Sequence, residues 1–425
     1  MALDDRTTTF DLDRSAAALP GRSDAAVRLL VLLAVFAALT AIVVALTLPL
    51  DDGFDELAHY SYVRAMAEHP ALLPDYEALR LLDDHRLGWS EAPNYLAHPP
   101  LYHLLAAPLA ALTPGDPRLL RLVDVGLVVV GLLLAGFGGL TRLADPAARV
   151  VFVATLFGLP VTIGVAGLIN NDDLMIAEIG ALFFLLARGT AAPWAIALLL
   201  ALLGWTKFTG FVAAAIAVVL LRASLIADGR GRLLSAETLA PAAGLLVGLL
   251  PTLATLILHG RPIWVPSAFP DWFEAMPAAD RTAIDIFDFA RLYLDHLGRR
   301  LPYRADAFDA GVILIALAAA AAASLRPGRT DRLGRTLARV GLTTSAAFVA
   351  IHFGHSWLSL QNQGILADLQ TRYLAAIWPF VSFCIALGLT GLPPPLRSAA
   401  IALHLAGLAA ISVVGAGVFR FAGVI

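Results

Sequence analysis

Cysteine is almost missing from the chain: Cys384 stands alone among 425 residues. One thiol excludes an intramolecular disulfide framework and any metal cluster built on cysteine ligands. Charge is scarce as well. Asp, Glu, Lys and Arg make up 15% of the residues, with a net charge of −3, where soluble domains carry about 25%. That excludes a soluble globular chain and a disordered one, and it leaves no bulk positive field for nucleic acid. There is no Gly-rich phosphate loop, no nucleophile elbow and no H-E-x-x-H zinc motif. What is present is apolar: 59% of the chain. The composition predicts an all-α integral membrane protein, because a helix satisfies its own backbone in lipid.

Residues 1–26 are polar and without apolar periodicity, and read as a disordered cytoplasmic tail. Residues 27–425 read as one polytopic transmembrane domain. The block 27–50 is too long for a signal-peptide core and is read as an uncleaved anchor. Further apolar blocks fall at 119–140, 150–168, 174–187, 193–206, 208–222, 240–258, 309–325, 340–358, 373–390 and 399–419. With the first they predict about eleven transmembrane helices. The stretch 99–113 is too short for a span of roughly 20 residues. Keeping it out of the bilayer puts Arg142, Arg149, Arg188, Arg222, Arg230, Arg232, the arginines of 326–339 and Arg397 on the side of the N-terminus, as the positive-inside rule requires. The reading is therefore an N-terminus in the cytoplasm, a place in the cell's inner membrane, and 99–113 as a juxtamembrane helix on the outer face. Two long outer loops follow, 51–118 and 259–308. Ordered loops of that length are commonly functional.

Four clusters carry the chemistry, all expected on the outer face. Asp55 and Glu56 begin an amphipathic stretch after Gly53, and Asp55 and His59 share a helical face. A carboxylate beside an imidazole suits general-base work or a divalent metal; an acidic helix start that only complements the dipole has the same sequence. Asn170, Asn171, Asp172 and Asp173 fill the next outward turn, where capping is the plain alternative. Lys207 interrupts two short apolar stretches, and an ammonium near hydrocarbon marks a functional site or snorkels to the interface. Arg372 and Tyr373 open a late span, where Arg grips phosphate through two parallel bonds or serves with Tyr as an interfacial anchor. Among weaker candidates, His98-Pro99-Pro100 fixes an extended lead into 99–113. Arg121 and Asp124 are spaced for an ion pair, and His352 and His355 for a hydrogen-bonded pair.

Taken in order, these strings resemble a known family. Phe54-Asp55-Glu56-Leu57-Ala58-His59-Tyr60 with Arg64 to Glu68 resembles the first-loop motif of GT-C membrane glycosyltransferases, which include the protein O-mannosyltransferases and the lipid A aminoarabinose transferase. His98-Pro99-Pro100-Leu101-Tyr102, Arg121-Leu122, Asn170 to Leu174, Thr206-Lys207 and Gln370 to Leu374 follow in matching order, over residues 27–390. The resemblance implies a GT-C-like helical domain and a sugar donor carried on a polyprenyl phosphate. It implies that Asp55 is the base, Asp172 a second acid, and Lys207 and Arg372 phosphate contacts. Glu56 joins the catalytic group. His59, His98, Arg121, Asn171 and Tyr373 are expected to bind substrate. Asp55 and Asp172 are candidate ligands for Mg²⁺, Mn²⁺ or Zn²⁺. The implied reaction is inverting transfer of a sugar to a glycan, lipid or protein hydroxyl at the outer face. A soluble domain that several relatives carry is not expected here, so neither a protein nor a lipid A acceptor is carried over. A lipid-linked sugar flippase and an inactive scaffold of the same fold are the alternatives. Charge clustered at one face favours the enzyme, since transporters place their sites near the midplane in repeated halves.

Overall fold

The computed structural model describes residues 24–50, 55–83, 87–158, 160–189, 192–263, 276–299, 330–364 and 371–421. Most of the predicted tail, the span at 309–325, Gly53, Gln370 and much of the second outer loop lie outside the described residues.

Helix α1 (Ala25–Thr47) is started by Asp24, whose carboxylate accepts the Ala26 N–H at 2.8 Å. A short helix α2 (Glu56–Glu68) follows. Next comes an antiparallel ribbon, β1 (Arg80–Leu82) and β2 (Trp89–Pro93), with Leu82 opposite Trp89. Helix α3 (Leu101–Leu112) has 12 residues, a length of about 18 Å, too short to cross a bilayer core of about 30 Å. A short helix thus occupies the 99–113 stretch, at a length below that of a single span. The bundle continues with α4 (Arg118–Leu140), α5 (Pro146–Phe157), α6 (Pro160–Val165), α7 (Asn171–Arg188), α8 (Pro193–Thr206), α9 (Phe208–Ala227) and α10 (Ala236–His259). It ends with α11 (Ala278–Ala283), α12 (Ile286–Arg299), α13 (Arg332–Gln363), a 3₁₀ turn at Thr371–Ala376, α14 (Trp378–Gly391) and α15 (Pro394–Phe421).

Among the described residues, α1, α4, α9, α10 and α13 are long and apolar enough to cross a membrane, and α5, α8 and α14 are shorter apolar helices. The chain is a multi-pass membrane protein. Several boundaries differ from the sequence reading; α13 runs well beyond the block 340–358 at both ends. The block 150–168 is not one helix: α5 ends at Phe157, Gly158 follows, and α6 resumes at Pro160, whose ring cannot continue the hydrogen-bond ladder. The block 373–390 opens as a 3₁₀ turn, and its α-helix starts beside Pro379, in the first turn where a missing N–H costs nothing.

Lipid tails give no hydrophobic drive between helices, so close packing depends on small residues. Helices α4 and α7 meet through glycines: a Cβ on Gly180 would sit 2.1 Å from the Gly131 carbonyl oxygen. Helices α8 and α10 repeat the device at Gly204 and Gly248.

The two ends of the bundle carry different charge. At one end the helix starts and turns are tied by Arg149–Asp24, Arg142–Asp331 and Arg397–Asp145, each 2.6 Å, and Arg332–Asp228 at 3.0 Å. At the other lie α2, the ribbon and α3. Ser61 Oγ accepts the Leu82 N–H at 2.8 Å, and the Asn94 amide donates to the Ala58 carbonyl at 2.8 Å. These bonds fasten the ribbon to α2 and fix the chain leading to His98.

Candidate active site

Asp55 is the N-cap of α2 but does not cap it. No side-chain cap bond forms, and its backbone is left-handed at φ 53°, a region unusual for a residue other than glycine. Its side chain turns instead toward two partners. Oδ1 accepts the Tyr95 hydroxyl at 2.8 Å, and Oδ2 accepts from Arg372 Nη2. An Asp at a helix start ordinarily gains from capping, so the forgone cap separates this residue from one that only serves the dipole. Burial pushes the Asp55 carboxyl up, but Arg372, the Tyr95 hydroxyl and the more distant Lys207 outweigh it and hold it below the ordinary carboxylate range.

Arg372 comes from the 3₁₀ turn. Its Nε lies 3.7 Å from Asp172 Oδ2, so the guanidinium bridges two carboxylates drawn from distant parts of the chain. Lys207 sits where α8 stops and α9 starts, with an extended backbone that breaks the apolar run. Its ammonium is 2.7 Å from Asp172 Oδ1 and donates to Asn171 Oδ1 at 3.2 Å. Asn171 in turn donates to the Thr206 carbonyl at 3.0 Å, and Asn170 caps α7 by accepting the Asp172 N–H at 2.9 Å. Both cations face the Tyr373 ring, Lys207 Nζ at 5.3 Å and Arg372 Cζ at 5.6 Å from its centroid. Side-chain exposure is 2% for Lys207, 3% for Arg372 and 24% for Asp55; the carboxylate is the more exposed of the three.

Glu56 and Arg121 play another part. Glu56 receives Nε and Nη2 of Arg121 at 2.6 Å each, and also the Ile169 N–H at 2.8 Å. Arg121 further donates to the carbonyls of Leu48 at 2.7 Å and Ala45 at 3.2 Å. The pair therefore locks the end of α1, the start of α2 and the approach to α7 together. Both Glu56 oxygens are engaged by Arg121, and Arg121 is held between that carboxylate and backbone carbonyls. The expected Arg121–Asp124 pair is not made; Asp124 accepts the Tyr102 hydroxyl at 2.7 Å.

The Asp55–His59 couple is not formed either. His59 Nδ1 meets His103 Nε2 at 3.1 Å, and His59 stacks on His98 with centroids 5.5 Å apart. Burial, neighbouring imidazoles and the site cations push His59 and His98 well below the usual imidazole range. His103 is pushed down to about 3. The stack is neutral and lies beside the cationic cluster. His352 meets the Tyr293 hydroxyl at 2.8 Å, and its ring lies 5.4 Å from Tyr373. Tyr95 was missed in the sequence; its only signal is an aromatic three positions before His98.

Among the described residues no three His, Cys, Asp or Glu side chains converge as ligands. The carboxylates of Asp55 and Asp172 are turned to Arg372 and Lys207 instead.

Two solved structures that share the fold are of ArnT, the lipid A aminoarabinose transferase of the GT-C superfamily. ArnT from Cupriavidus metallidurans bound to undecaprenyl phosphate matches with a TM-score of 0.51 and 13% identity, over 90% of this chain and 63% of that one. The apo form matches with a TM-score of 0.51 and 16% identity, over 87% and 61%. The chain thus spans somewhat less than two thirds of the length of these structures. No family model matches the sequence, and no curated protein matches it.

Proposed function

We propose that this protein transfers a sugar from a polyprenyl-phosphate donor to an acceptor hydroxyl at the outer face of the cell's inner membrane. The observation that carries the reading is the convergence of Asp55, Asp172, Lys207 and Arg372 from four separate places in the sequence. The undecaprenyl phosphate bound by one structural neighbour supports a lipid phosphate as the leaving group.

Transfer needs a base for the acceptor proton and positive charge for the departing phosphate. Asp55 takes the proton. Lys207 and Arg372 receive the phosphate oxygens, and preorganised cations in a water-poor cleft contribute about 3 kcal/mol each to the transition state. Asp172 and Tyr373 hold the two cations in place, and Asn171 orients the ammonium. Attack of the acceptor oxygen at the anomeric carbon as the phosphate leaves inverts that centre in one displacement. His98, half-buried at the end of the imidazole stack, lines the sugar side as a neutral hydrogen-bonding group. Glu56 and Arg121 support this constellation without touching substrate.

The test is purified protein in liposomes, given polyprenyl-phosphate sugars and a cell-envelope extract as acceptor. The expected result is sugar transfer with inversion, lost in Asp55→Asn. Movement of the donor across the bilayer without transfer would make the protein a flippase and overturn the reading.

A further inference from the structure

Asp55 faces a conflict. Its Oδ2 is held by Arg372, and a carboxylate neutralised by a guanidinium is a poor base. Arg372 is buried, yet its Nε and Nη1 find no hydrogen-bond partner. Buried donors left unsatisfied are costly, and a charged one more so, so the guanidinium is set up for a further anion. A phosphate offers that anion the matching two-pronged geometry. The second hold on Asp55, the Tyr95 hydroxyl on Oδ1, does not depend on Arg372. It comes from the segment after β2, which Asn94 fastens to α2 through the Ala58 carbonyl.

We propose that the donor phosphate displaces Asp55 from Arg372, and that Tyr95, a positioning residue, keeps the released carboxylate aimed at the acceptor. The proposal rests on the transfer reading above. Donor binding then switches on the base, and the base stays paired with Arg372 while the site is empty. Water in an unloaded site meets a carboxylate engaged on both oxygens.

Competition for Arg372 makes the coupling reciprocal: whatever weakens Asp55's hold strengthens phosphate binding. The experiment measures binding of polyprenyl phosphate alone to full-length protein in nanodiscs, across a double-mutant cycle. Asp55→Asn is expected to tighten binding about tenfold, the gain expected when a competing state occupied about nine-tenths of the time is removed. In an Arg372→Gln background the same Asn substitution is expected to give no gain. An equal gain in both backgrounds would mean simple charge removal and would overturn the exchange, as would no gain at all. Tyr95→Phe supplies the second readout: phosphate affinity and the donor KM are expected to stay unchanged while kcat falls roughly 10- to 100-fold. A loss of affinity alongside kcat, or an unchanged kcat, would overturn the positioning role. The binding cycle is read without any transfer, so a protein that transfers nothing fails the proposed function and leaves the exchange separately decided.

Discussion

The two ends of the bundle use the same charged residues for opposite purposes. At the arginine-rich end, pairs such as Arg142–Asp331 and Arg397–Asp145 are partly open to solvent and join one cation to one carboxylate. Such pairs contribute about 0–1 kcal/mol each. At the other end the cations are almost wholly buried, share carboxylates and leave guanidinium donors unsatisfied. Taking charges out of water costs several kcal/mol per ion, and stability alone gives weak reason to do it. The difference teaches that the exposed pairs tie helix ends together at little cost, whereas the buried cluster bears a cost that the proposed anionic ligand would account for. Within that end, Glu56 and Arg121 are again distinct: every charged donor there is matched, and the pair holds structure.

The comparison can be broken at several points. The largest effect is expected from Asp55→Asn, which lowers transfer by about 10³-fold, within the range a positioned base supplies, with insertion into the membrane unchanged; a rate assay beside a membrane-fraction blot checks both. Next is Glu56→Ala, which strands Arg121 and costs about 3–5 kcal/mol of stability, read as a large fall in the detergent melting temperature. A melt like wild type would place Glu56 outside the structural group. Lys207→Ala and Arg372→Ala are each expected to cost about 10²-fold in kcat/KM for the donor; a donor dependence unchanged in both would remove the phosphate clamp. Arg397→Ala is expected to cost no more than about 1 kcal/mol and to leave transfer intact. Loss of transfer there would erase the distinction between the ends. The smallest effect concerns pH. Because Arg372 and Tyr95 hold the Asp55 carboxyl below its ordinary value of 3.8, the base is ionised above that point and is lost only as pH falls through the lowered value. The acid limb of kcat/KM, which reports the free enzyme, is expected below pH 3.8, and Tyr95→Phe moves it upward.

Much of this was legible in the sequence because membrane chains write their plan in hydropathy. The blocks around 119–140 and 240–258 became α4 and α10 within a few residues. The shortness of 99–113 was also legible, and it became the 12-residue helix α3. Asp55, Asp172, Lys207 and Arg372 could be singled out because ionisable residues at span ends are few. Their partners could not. Glu56 stands next to Asp55 with the same chemistry, and only the fold shows that Arg121, far along the chain, takes both its oxygens. The i,i+4 spacing of Asp55 and His59 promised a contact, but the left-handed turn at Asp55 aims its side chain away from α2. The ribbon escaped notice because three- and five-residue strands show no periodicity. Tyr95 went with it, since its role depends on where the ribbon delivers it.

The most direct test is to delete the gene and measure the polyprenyl-phosphate sugar that accumulates, with wild-type protein or Asp55→Asn returned at equal membrane abundance. The account predicts that wild type clears the accumulated donor and restores the missing envelope sugar, while Asp55→Asn leaves both as in the deletion. Clearance by Asp55→Asn at the wild-type level would contradict it.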